Sequence, residues 1–154
     1  MTDKTKKEER LYLLGSSTAD MEGKIHYFIK VGCTADLRAR MRCYETYNPA
    51  LLRFNSFPSP SRAYSEAIED ALLLMLVAGR QKSTEWFEVS KNIFDAFKNI
   101  ENFKALKAFV NVEAFFDLKI TAYQTRAFEE EKIANKRRYE ARAAHYIALR
   151  EEGK

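Results

Sequence analysis

Five side chains in the first half of this 154-residue chain stand out as ones that could carry chemistry: Tyr12, Lys30, Arg40, Tyr44 and Glu69. Tyr12 carries a hydroxyl into the leucine run Leu11 to Leu14. Lys30 sits between Ile29 and Val31; in strand alternation it shares a face with His26 and Phe28, opposite Tyr27, Ile29 and Val31. A lysine so placed either snorkels at a sheet edge or is held as a charge on a covered face. Arg40 and Tyr44 are i and i+4, neighbours on one helical face, while Arg38 and Arg42 point elsewhere. Glu69 falls within about 60° of Leu72, Leu73 and Leu76 on a helical wheel, so it lies on or beside a buried stripe. A carboxylate there needs an arginine, a metal ion or the protein surface, because burying it unpaired is costly.

The elements that must position these groups can be read from punctuation and periodicity. Gly15, Gly23, Gly32, Pro49, Pro58, Pro60 and Gly79 all fall in or just past the first half, and only Gly153 follows. Leu11–Leu14 and Ile25–Val31 read as strands of an antiparallel hairpin across a turn from Gly15 to Gly23. Thr34–Tyr44 reads as a short amphipathic helix capped by Thr34, with Leu37, Met41 and Tyr44 as its apolar stripe. Asn48-Pro49 ends it, and Leu51–Phe57 reads as a third strand. Ser59 then caps a helix with Pro60 at its first position, running to Ala78 and stopped by Gly79. Glu85-Trp86-Phe87-Glu88-Val89 reads as a short extended or turn segment anchored by its two rings, and Lys91–Lys98 as a helix. From Phe103 to Tyr123 the apolar spacing suits packed helix with a break near Asn111. Gln124–Glu152 reads as one long charged helix. The expected fold is therefore α/β in the α+β sense: a small three-stranded antiparallel sheet flanked by helices, followed by a mostly helical C-terminal extension. Residues 1–9 form a charged tail, 10–90 the first domain and 91–154 the extension.

On the last helix, Lys132 and Lys136, and Arg138 and Arg142, are i,i+4 pairs suited to phosphate contacts. Glu129, Glu130 and Glu131 argue against a purely basic surface. Phe128, Ile133, Tyr139, Tyr146, Ile147 and Leu149 could instead pack on the domain or on a second copy, giving a homodimer through the C-terminal helices. A DNA arm and a dimer helix both stay open.

Composition narrows the field. The longest uninterrupted apolar run, Ala71 to Ala78, has eight residues, far short of the roughly 18 that a membrane span needs. Cys33 and Cys43 are too few for a disulfide scaffold and, with only His26 and His145 beside them, a poor basis for structural zinc. Both read as reduced thiols. The formal net charge is +4 with a pI near 9.0, which leans toward an acidic partner such as nucleic acid. The charged first ten residues lead into no long apolar core, so no secretory signal is expected and residence is expected to be cytoplasmic.

In this order the pieces resemble the GIY-YIG nuclease superfamily. Leu11-Tyr12-Leu13 is similar to the first motif and Lys30-Val31-Gly32 to the second. Arg40 and Tyr44 match an arginine followed four residues later by a histidine or tyrosine, and Glu69 matches a glutamate on a later helix. Asn48-Pro49 and Glu85-Trp86-Phe87 are similar to features of a branch common in phages and mobile elements. Arg10 and Leu11 stand where the first motif has glycine and isoleucine, Lys30 where the second has tyrosine, Leu73 where the branch often has histidine, and Thr84 and Glu85 near an asparagine of several relatives. The resemblance implies a metal-dependent DNA endonuclease in a bacterial or phage-infected cell. It also implies roles: Glu69 holding Mg2+ or Mn2+, Tyr12 as general base with its pKa lowered by Lys30, Arg40 stabilising transition-state charge and Tyr44 orienting phosphate or water. A non-catalytic nucleic-acid-binding module, and a phage-type protein acting on a host protein through its C-terminal helices, are the alternatives.

Overall fold

The computed structural model describes residues 8–48, 50–76 and 86–154. Pro49, the helix end at Ala78, Gly79, Thr84 and Glu85 lie outside the described residues. The order of elements is β1 (Arg10–Ala19), β2 (Ile25–Thr34), α1 (Leu37–Tyr47), β3 (Leu52–Pro58), α2 (Arg62–Leu76), β4 (Phe87–Val89), α3 (Lys91–Lys98), α4 (Phe103–Phe109), α5 (Val112–Glu129) and α6 (Ile133–Glu152). The chain forms two compact units, Met1–Val110 and Asn111–Lys154. No helix among the described residues is long and apolar enough to cross a membrane.

The sheet has four strands rather than the three expected, in the order β3-β1-β2-β4, and all its pairings are antiparallel. The extra strand is the segment that carries Phe87. Its three residues pair with Tyr27, Phe28 and Ile29, too short a run for alternation to show in the sequence. β1 and β2 pair from Arg10–Thr34 to Ala19–Ile25. The hairpin is longer than expected because Gly15 lies inside β1, opposite Ile29, and the turn starts at Asp20, whose carboxylate accepts from the Glu22 and Lys24 amides at 2.9 Å each. A Cβ on Gly15 would lie 2.1 Å from the Phe54 ring. That residue is the extra one where β3 slips against Leu13 and Leu14, so Gly15 and the bulge accommodate one ring between them.

β1 is buried continuously from Leu11 to Ser16, not alternately, because both faces of the sheet are covered. On one face Tyr12 and Leu14 pack with Met41 of α1, and Leu37, Tyr44, Leu51 and Trp86 close around them. On the other face lie Leu11, Leu13, Ile29 and Val31. Phe94 of α3 meets Tyr27 there at a centroid distance of 5.0 Å, and α2 presents buried Tyr64, Ile68 and Leu72.

Two helix starts differ from expectation for one reason, competition for the capping group. Thr34 remains the last β2 residue, opposite Arg10, and its hydroxyl accepts from the Asp36 amide at 3.0 Å. Asp36 then caps α1 by accepting from Ala39 N at 3.1 Å, a stronger cap than threonine. Ser59 is likewise held to the start of β1 through its amide and Glu9 O at 2.9 Å, so Ser61 caps α2, accepting from Tyr64 N at 3.1 Å.

In the second unit Asn111, with φ 51°, marks the expected break between α4 and α5. The long charged helix is two helices: α5 continues to Glu129, Glu130 and Lys132 are extended, and α6 starts at Ile133. No glycine or proline marks that break. Glu129, Glu130 and Glu131 place like charges at a helix C-terminus, where the helix dipole opposes them. The Glu130 carboxylate accepts from Lys132 N at 3.1 Å, satisfying an amide that the turn frees.

Candidate functional site

β4 pairs with β2 only as far as Ile29. Beyond it, the C-terminal half of β2 has no further strand on that side among the described residues, and side chains from both faces of the sheet reach round this edge. A pocket of about 160 Å³ forms there, lined by Tyr12, Gly32, Cys33, Arg40, Tyr44, Arg62, Glu66 and Glu69. Four of the five candidates read from the sequence thus meet in one place.

Gly32 is opposite Tyr12 in the β1–β2 register. A Cβ on Gly32 would lie 2.1 Å from the Tyr12 hydroxyl and from its ring, so only glycine lets the phenol lie across β2 and reach the pocket. The Tyr12 and Tyr44 hydroxyls are hydrogen-bonded at 3.1 Å, with the rings edge to face at 6.0 Å. Tyr12 is 3% exposed. Burial, then the Tyr44 hydrogen bond, push its pKa well above the ordinary phenol value; the Arg40 charge works against this, and Glu69 with it. The Tyr12 pKa is thus raised rather than lowered as expected: the phenol is held protonated, because losing water around the anion outweighs the nearby cation.

Lys30 is on the Tyr12 face as expected, and it is buried, 3% exposed. It is not among the residues lining the pocket. Its ammonium lies 5.8 Å from the centroid of the Tyr44 ring, a cation–π support for that ring rather than a neighbour that ionises Tyr12.

Glu69 is half-buried beside the buried Ala67, Ile68, Ala71 and Leu72. The Cys33 thiol donates a hydrogen bond to its carboxylate, and burial, then the Glu69 charge, push that thiol up to about 12. Cys33 is thus an inert donor that fixes Glu69, not a nucleophile. Arg62, Glu66 and Cys33 were missed from sequence. The first two were legible, since residues 62, 66 and 69 fall on one helical face at i, i+4 and i+7. Arg62 lies 3.5 Å from Glu66 and 3.6 Å from Glu9; the Cys33 and Glu9 charges raise its already high pKa. Cys33 became visible only once the end of β2 was placed beside α2.

No group of three or more His, Cys, Asp or Glu side chains among the described residues could cage a metal ion. Magnesium does not need one, because it is commonly held by one or two carboxylates, with phosphate oxygens and water completing its shell. The oxygen donors Glu69 and Glu66, with two arginines beside them for phosphate, fit that pattern.

The basic residues of the last helix do not form one surface. Lys136 and Arg138 point about 160° apart at roughly 100° per residue. Lys136 lines a groove with Glu140. Arg142 donates to the Tyr123 hydroxyl at 3.2 Å. Lys132 is the residue before α6, and Arg138 is exposed.

A family model, the T5orf172 domain, matches residues 9–102. That finding replaces the GIY-YIG assignment: the family whose model fits is not the one the short motifs suggested, and those motifs depart from the GIY-YIG pattern at Arg10, Leu11 and Lys30. No curated protein and no solved structure matches. The match spans more than half of the chain and includes every residue lining the pocket: the chain belongs to the T5orf172 domain family, which is phage-associated and often nuclease-like or nucleic-acid-related.

Proposed function

We propose that the chain is a metal-dependent DNA endonuclease that cleaves phosphodiester bonds in the pocket at the open edge of β2. The observation that carries this reading is the convergence of Tyr12, Tyr44, Arg40, Arg62, Glu66 and Glu69, from β1, α1 and α2, on one small polar pocket. Two arginines offer planar forks to a phosphate, Glu69 offers hard oxygens to a cation and Glu66 is left as a base. Glu69, steadied by Cys33, would hold Mg2+ or Mn2+, with Glu66 beside it. The ion, when bound, supplies Lewis-acid stabilisation of charge on phosphate oxygens.

The chain's own groups do the rest. Arg40 donates to a non-bridging phosphate oxygen and offsets the charge that grows on it in the transition state. Arg62, which also lines the pocket, donates to the same or the next phosphate. Tyr12 and Tyr44 share one hydrogen bond, which leaves one hydroxyl proton free to donate to phosphate or to orient the attacking water. Because Tyr12 is held protonated, a carboxylate, Glu66, takes the attacking water's proton instead; as the water oxygen bonds to phosphorus, the P–O bond to the leaving sugar oxygen breaks, and that oxygen takes a proton from solvent water. The family's nucleic-acid theme supports DNA as the partner.

A non-catalytic nucleic-acid-binding module is the second reading. It draws on the same two arginines and on the protonated Tyr12, a binding group rather than a base. Plasmid nicking with Mg2+, Mn2+ or chelator separates the two. Wild type is expected to nick only with metal, and Glu69→Gln and Arg40→Ala, each folded by circular dichroism, to lose the activity. Nicking that survives Glu69→Gln rejects the site. Steeply salt-dependent DNA binding without nicking of any DNA form selects the binding module, and neither nicking nor binding returns the weight to a host-protein partner.

A further inference from the structure

The second unit leaves large apolar side chains uncovered: Phe128 is 88% exposed, Ile133 67% and Ile147 36%. Monomeric proteins rarely leave such groups together without a use. Ile133, Lys136, Glu140, Ala144 and Ile147 follow one another along α6 at spacings of three and four, the repeat of a helix-pairing seam. This stripe lies on the flank away from Arg138. Its middle and end, with Gln124, Ala127 and Phe128 of α5, line an open groove of about 410 Å³.

The charges in the seam say what covers it. An interface between identical copies uses the same patch twice, so the patch must complement itself. Here a cation, Lys136, and an anion, Glu140, sit one turn apart within an apolar stripe, both exposed. In two antiparallel helices related by a two-fold axis, residues equally far before and after the axis face each other. An axis level with Arg138 sets Lys136 against Glu140 twice and Ile133 against Ala143, and brings the Phe128 end of the hairpin to Ile147. An axis level with Glu140 would set the two Glu140 carboxylates against each other, and like charges directly opposed count against that register.

We propose that this face of the α5–α6 hairpin binds a second copy of the chain, with the α6 helices antiparallel and Lys136 of each copy paired with Glu140 of the other. The proposal does not depend on the nuclease reading. Sedimentation equilibrium over a range of protein concentrations is expected to show a reversible dimer. Lys136→Glu and Glu140→Lys each place like charges across the axis, and each is expected to weaken the dimer about tenfold or more. An equimolar mixture of the two is expected to restore it, because one copy then carries two anions and the other two cations. Intrachain effects cannot produce that rescue. Ile147→Ser, with helicity checked by circular dichroism, is expected to weaken the dimer without charge dependence. A monomeric wild type, a dimer indifferent to all three substitutions, or a mixture no tighter than its components overturns the proposal.

Discussion

Tyrosines and cations cluster twice in this molecule, to opposite effect. In the first unit, the Tyr12 and Tyr44 hydroxyls point at each other across 3.1 Å, and Arg40 stands at a pocket wall beside them. In the second, Tyr123 stacks on Tyr139 and Tyr146 at interplanar angles of 24° and 8°, and Arg126 and Arg142 each lie 5.6 Å from its centroid. The ring faces there are already covered by cations and by other rings. The same residue types make a site only where their polar ends converge on space and their apolar bodies are held from behind. Net charge would rank the second cluster higher; geometry ranks the first higher.

The largest test of that contrast is catalytic. Glu69→Gln and Arg40→Ala are expected to lower the metal-dependent nicking rate by about 100-fold or more, the usual scale for removing one transition-state contact. Arg142→Ala is expected to change it by about threefold at most, since that guanidinium is occupied by Tyr123. An equal loss from Arg142→Ala would erase the distinction. Next comes Gly32→Ala. Its methyl group would meet the buried Tyr12 ring at 2.1 Å, and overpacking of this kind costs about 1–3 kcal/mol. Denaturant unfolding should show that loss, together with reduced nicking, while Tyr123→Phe should show neither.

The sequence reading reached most of the site and less of the boundaries. Local rules singled out Tyr12 in its leucine strand, the i,i+4 pair Arg40 and Tyr44, and Glu69 on its helical wheel, but only the GIY-YIG resemblance joined them; their meeting in one pocket is what the structure adds. Lys30 was placed on the right face, but whether its ammonium met Tyr12 or Tyr44 depended on α1 closing over that face, which no local rule encodes. The fourth strand was read only as a short extended or turn segment and not counted in the sheet, because three residues carry no period. The helix starts moved by two residues where Thr34 and Ser59 were claimed by β2 and β1. The family was misassigned because motifs of one to three residues are shared more widely than a match over residues 9–102.

A smaller effect concerns the proton on Tyr12. Burial raises its pKa above the ordinary 10.0, so the folded protein keeps this proton where the unfolded chain loses it. This group's contribution to folding stability is then complete below pH 10 and is lost as the pH rises through its higher folded value. Ultraviolet titration of the folded protein is expected to show one fewer late-ionising phenol in Tyr12→Phe than in wild type, and Tyr12→Phe to abolish this residue's share of the alkaline destabilisation. Tyrosinate at Tyr12 in neutral solution would revive the general-base role and redraw the first cluster as an ionised one.

The smallest effect lies at the far end of the hairpin that carries the site. His26 Nε2 meets Asp20 at 2.9 Å and Nδ1 meets Glu88 at 2.5 Å, so one imidazolium ties the β1–β2 turn to β4. The Asp20 hydrogen bond first, then that of Glu88, raise the His26 pKa above 6.5, and the His26 bond lowers that of Asp20 below 3.8. A raised histidine contributes stability that is complete below pH 6.5 and lost as the pH rises through its folded value; a lowered aspartate contributes stability present above pH 3.8 and lost as the pH falls. The clamp is therefore strongest between those limits. All three partners are partly exposed, so solvent screens the effect and the global gain is small. Amide exchange resolves it: His26→Gln at pH 6 is expected to speed exchange in Phe87–Val89 and the facing Tyr27–Ile29, and to leave α5 and α6 unchanged. Equal acceleration in both units would mean that they unfold together, and the two clusters would then be parts of one cooperative structure.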